Sequence, residues 1–165
     1  MKSVAAVVFG VGIALMLGLL VVFGIMAPVL TFLFGLRVSE DDAVPVILPL
    51  MSFAAIFSFY FGGMASSYSA PWRRRLHGTL VAPAAFALSP SLNLAMGKGA
   101  FPDVNTPPAV IFLVFVLFIS LAASYVGARR GEALYAYNRA HTEREQLRRR
   151  AREAARRSGG TTPGG

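Results

Sequence analysis

Apolar and polar positions in this chain alternate in long blocks rather than at the spacing of single turns. No Asp, Glu, Lys, Arg or His occurs from Val4 to Leu36, from Ala43 to Trp72, from Gly78 to Gly97 or from Val104 to Ala128. A helix needs ~20 mostly apolar residues to cross ~30 Å of hydrocarbon, and each run supplies them. The pattern predicts four membrane-spanning helices at about residues 4–28, 45–67, 76–96 and 108–128. Short connections between them make an up-down-up-down bundle the expected all-α architecture.

The boundaries follow from local chemistry. Met1-Lys2-Ser3 before an apolar run resembles a secretory signal, but the run is about twice as long as such segments, and Ile25-Met26-Ala27-Pro28 is a poor cleavage site. A retained helix is expected. At ~1.5 Å per residue the run to Leu36 would reach about 50 Å, so a kink or break is predicted at Pro28, whose ring presses on the carbonyl of Gly24. Pro45 and Pro49 suit the first turn of the second span, and Pro107-Pro108, capped by Asn105 or Thr106, suits that of the fourth. The third span is the least regular. Pro83 and Pro90 fall inside it and free the carbonyls of Thr79 and Phe86.

Composition excludes a soluble domain of ordinary kind: 55% of the 165 residues are hydrophobic and only 15% charged, with a mean hydropathy of +0.58. Charge then sets orientation. With the N-terminus inside, Lys2, Arg73, Arg74, Arg75 and the ten arginines from Arg129 to Arg157 are cytoplasmic, against Arg37 and Lys98 outside. This bias of fourteen to two is expected to place both termini in the cytoplasm, as in a multi-pass protein of the cytoplasmic (inner) membrane. Trp72 and the five tyrosines fall in or near the inner halves, where an interfacial belt belongs.

In lipid, helices associate through small residues that allow close approach. The packing candidates are Gly10, Ala14 and Gly18 in the first span, Ala54, Ser58, Gly62 and Ser66 in the second, and Ser120, Ser124 and Ala128 in the fourth. They are expected to pack within one bundle, with a homo-oligomeric seam as the competing use.

Candidate chemistry is sparse. Ser89, Ser91 and Asn93, beside Pro90, are the neutral polar residues that a binding pocket in the third span would use. Trp72 with Arg73, Arg74 and Arg75 forms a candidate clasp for an anionic lipid head group. His77 and His141 are the only histidines and there is no cysteine, so no metal, cofactor or catalytic constellation is expected.

Around this loop stand Gly62, Gly63, Leu76, His77, Gly78, Leu80 and Val81. The order Gly-Gly, a small polar stretch, basic residues and Leu-His-Gly-x-Leu-Val resembles a family of small, uncharacterised four-span bacterial membrane proteins. That resemblance implies a topology and no activity, and the long arginine tail departs from it.

The tail divides at Ser158. Residues 129–157 read as a basic helix supported by Glu145 with Arg149 and Glu153 with Arg157 at i to i+4 spacing, and residues 158–165 as a disordered end. Leu134, Tyr137, Leu147 and Ala151 make a broken apolar line, thin for a coiled-coil seam. Three uses compete: a solvated anchor near anionic lipid, a docking surface for an acidic membrane or cytosolic protein, and nucleic-acid binding. The last lacks interleaved aromatic residues and has only the nonspecific electrostatic attraction. The expected function is therefore a non-enzymatic accessory or scaffolding component. The alternative is a small oligomeric transporter or channel lined by the polar residues of the third span.

Overall fold

A computed structural model describes residues 2–35, 40–95, 97 and 107–159 of the chain. The elements run α1 (Lys2–Val21), a π-helical turn (Val22–Met26), α2 (Ala27–Gly35), α3 (Glu40–Ser69), α4 (Arg74–Thr79), α5 (Val81–Ala95) and α6 (Pro107–Gly159). No strand occurs among the described residues. Three helical stretches are long and apolar enough to cross a membrane: Ser3–Leu33, Ile47–Ser69 and Val110–Ala155. Two compact units divide the chain, Met1–Glu132 and Ala133–Gly165. The boundary falls inside α6.

The first apolar run does not break at Pro28. Its helix continues through α2, and the irregularity lies in the turn before the proline, where the Ala27 N–H bonds the carbonyl of Val22, five residues back. A wide turn relieves the crowding that a proline ring imposes on the preceding turn. Downstream, Thr31 returns its hydroxyl to the Ala27 carbonyl at 2.8 Å.

Helix α3 begins at Glu40, ahead of the expected start, and so carries Pro45 and Pro49 in its second and third turns. The acidic run Glu40-Asp41-Asp42 opens it, a composition that helix starts favour. The third apolar run is divided. Leu80 separates α4 from α5, and the restart puts Pro83 in the first turn of α5, where its missing N–H costs little. Pro90 remains inside α5. With 15 residues, α5 alone would extend about 22 Å. The expected cap at Asn105 or Thr106 lies outside the described residues, as do Arg37 and Lys98.

Helix α3 is the hub of the first unit. Against α1 it runs antiparallel, because Gly10 faces Gly62 and Ser66 while Gly18 faces Ser58. A Cβ added to Gly10 would lie 2.6 Å from the Ser66 Cβ and 2.7 Å from the Gly62 carbonyl oxygen. One added to Gly62 would lie 2.8 Å from Ala14. Helix α5 also opposes α3: Val81 packs beside Gly62, and the rings of Phe59 and Phe86 stack with centroids 6.0 Å apart. Helix α6 runs the same way as α3. Gly63 touches the backbone of Ser124, Gly127 that of Tyr60 and Gly131 that of Met64.

Hydrogen bonds lock this junction at the Ser69 end of α3. The Ser67 hydroxyl donates to the Ala128 carbonyl at 2.8 Å, and that of Ser124 to the Gly78 carbonyl at 2.7 Å. Ser58, Ser66 and Ser120 are also buried, but their hydroxyls have no hydrogen-bond partner among the described residues. They serve the contact through size. Toward its Pro107 end α6 stands away from α3. An apolar crevice of about 600 Å³ opens there, lined by Leu48, Pro49, Ser52, Ile111, Phe112 and Phe115.

Candidate functional site

The segment after α3 concentrates the polar chemistry of the first unit. Helix α3 ends at Ser69, and the chain reverses through Ala70 to Arg73 before α4 begins. Arg73 takes φ 41 and ψ 48, a left-handed conformation that costs a residue with a Cβ roughly 1–2 kcal/mol. It is the single non-glycine residue with positive φ among the described residues. Its carbonyl accepts from the His77 backbone N–H at 3.3 Å and lies 3.1 Å from His77 Nδ1. Because a carbonyl only accepts, the second contact requires the hydrogen on Nδ1. His77 is buried, and its ring meets the edge of Trp72 at 5.7 Å between centroids.

The three arginines do different work. Arg74 turns back on α3, and its Nη1 donates to the carbonyls of Ser67 at 3.2 Å and Tyr68 at 2.6 Å. Those carbonyls belong to the last turn of the helix, so Arg74 acts as a C-terminal cap. Arg75 pairs with Glu132 of α6, and this bond and charge raise the Arg75 pKa above the ordinary arginine value. Arg73 is left at the surface, its guanidinium 5.2 Å from the centroid of the Trp72 ring and within cation–π range. Trp72 is 54% exposed. Of the four head-group candidates, Trp72 and Arg73 therefore form the outward pair, while Arg74 and Arg75 hold helices.

The other candidates separate. Gly10, Ala14, Gly18, Ser58, Gly62 and Ser66 meet between α1 and α3, and Ser124 meets Gly63 between α3 and α6. Ala54 and Ser120 are buried on the same helices. Ser89 and Ser91 lie exposed on α5, and the Asn93 side chain lies outside the described residues. A second close seam, Tyr60, Met64 and Ser67 against Gly127 and Gly131, is absent from the sequence reading. Its signal is the pair of glycines four residues apart in Gly127-Ala-Arg-Arg-Gly131.

In the second unit Arg139 donates to Glu143 at 2.8 Å, which raises the Arg139 pKa. The described residues include no group of three His, Cys, Asp or Glu side chains that could hold a metal ion. No known protein family, curated protein or solved structure matches the chain.

Proposed function

We propose that the chain is a four-span protein of a bacterial cytoplasmic membrane, with both termini inside, and that it serves as a non-enzymatic accessory or scaffolding component whose cytoplasmic face engages anionic lipid head groups. The observation that carries this reading is the Trp72 and Arg73 pair, exposed beside a turn whose other arginines are already bonded. An amphipathic ring and an exposed cation suit the boundary between hydrocarbon and head groups. The alternating directions of α1, α3, α5 and α6 support four crossings, with α4 and α5 together forming the third.

Topology is tested by reporter fusions. Fusions at Asp42 and Asp103 are expected to read external, and those after Ser69 and at Gly160 cytoplasmic; an external Gly160 fusion would sink the four-span reading.

The lipid role is tested with Arg73→Gly. Glycine adopts φ 41 without strain, so the variant removes the charge and keeps the turn. Mass spectrometry of the purified full chain is expected to show less co-purifying anionic lipid for the variant at undiminished thermal stability. Equal lipid retention overturns the clasp. The second reading, a small oligomeric transporter or channel, draws on the exposed Ser89 and Ser91, which a further copy would have to cover to form a polar path.

A further inference from the structure

The second unit is helical from Ala133 to Gly159, and its exposed residues carry a register that the line through Leu134 obscures. Starting one residue earlier, Ala133, Tyr137, Ala140, Leu147, Ala151 and Ala154 recur at alternating spacings of four and three, with Arg144 completing the series. All seven are exposed, Tyr137 at 69% and Leu147 at 64%, whereas Leu134 is half-buried. Such a series over three heptads is the a and d face of a coiled coil. We infer that this face docks on the same face of a second copy of the chain, forming a parallel two-stranded coiled coil.

The flanking charges identify the partner. In this register Glu143 and Arg150 fall at g, and His141 and Arg148 at e. Parallel strands bring a g residue beside the e residue five positions on in the other strand. Glu143 then meets Arg148 of the other copy, twice by symmetry, while Ala136 meets His141 and Arg150 meets Ala155. No like-charged g and e pair forms. Arg139, Arg149, Arg152 and Arg156 occupy the outer b, c and f positions. Arg144 at a reaches solvent between two strands but would be enclosed in three or four, which selects a dimer. Alanine at most core positions lets the strands approach closely.

Parallel alignment rests on the proposed topology, since two copies inserted the same way present their tails with the same polarity. Eight arginines against three glutamates from Ala133 to Gly159 also make the tails repel, so pairing requires salt that shortens the reach of the outer charges. The chain has no cysteine, which permits single-cysteine cross-linking in the full protein in native membranes, at physiological salt and above. A disulfide needs Cα atoms within about 7 Å, so Ala140→Cys and Ala151→Cys are expected to give roughly tenfold more cross-linked dimer than Thr142→Cys and Gln146→Cys.

Charge exchange fixes the register. On the Ala140→Cys background, Glu143→Arg and Arg148→Glu are each expected to lower the yield several-fold, and the two together to restore it. Even cross-linking at all four positions, or none at any, overturns the seam. Failure of the double exchange to restore the yield overturns the parallel g and e pairing. An impermeant maleimide reads the sidedness of Ala140→Cys separately: labelling from outside refutes the topology, while the cross-linking pattern still decides the seam.

Discussion

Gly127→Ala is expected to destabilise the membrane unit more than any other single added methyl group among those considered, by about 3 kcal/mol, the upper part of the range for overpacking. The new Cβ would collide with the Tyr60 carbonyl oxygen, lie 2.8 Å from its carbon and 3.1 Å from the Met64 nitrogen. All of these are backbone atoms, so no rotamer change clears the space and α6 must move off α3. Gly12→Ala is the control, because nothing lies within 4 Å of a Cβ there. Alanine's greater helix propensity makes that variant neutral or slightly stabilising. Thermal unfolding in a mild detergent separates the two. If they unfold together, α3 and α6 are not in backbone contact.

Arg74→Ala is expected to cost about 2 kcal/mol, because it strips a charged donor from two carbonyls at the end of α3. Arg74→Lys recovers only part, since a single ammonium does not reproduce the reach of a planar guanidinium. Arg75→Ala removes an ion pair whose side chains are 59% and 37% exposed, where water screens the attraction, and its effect is expected to be small. The same unfolding assay therefore ranks three adjacent arginines: Arg74 largest, Arg75 small, and Arg73→Gly neutral or stabilising. An equal response from all three would mean that they act through charge alone.

Much of this architecture is legible in the sequence because lipid imposes a coarse rule. Runs without charge become helices, and Val110 to Leu121 is clear for that reason. Contacts within the runs are harder to read. On an all-apolar helix there is no polar face to contrast with the packed one, so small residues are the remaining marker, and several stripes compete. The stripe through Gly62 and Ser66 is visible in α3. The one through Tyr60, Met64 and Ser67 carries two large side chains, so it needs its counterpart at Gly127 and Gly131 to be seen.

The division of labour among the arginines is not legible at all. It depends on a left-handed Arg73, which reverses the chain and aims Arg74 at α3 rather than at lipid. Sequence spacing places the three together but carries no information about that turn. Leu80 shows the same limit, because Pro83 signals an interruption nearby and only tertiary context decides that the helix restarts two residues before it.

The π-helical turn alters the phase of the first helix. Buried positions before it follow helical spacing through Ala6, Gly10, Ala14 and Val21, yet the next buried residue is Met26, five positions on rather than three or four. The turn absorbs one residue beyond what a regular helix would use to join the same two faces. Shortening the segment between Val22 and Ile25 by one would convert it to ordinary α-helix while leaving the azimuth of both flanks unchanged. An apolar segment without polar landmarks thus keeps a hidden count: one residue of its length is a spacer, and the helix can gain or lose it without rotating either end against its neighbours.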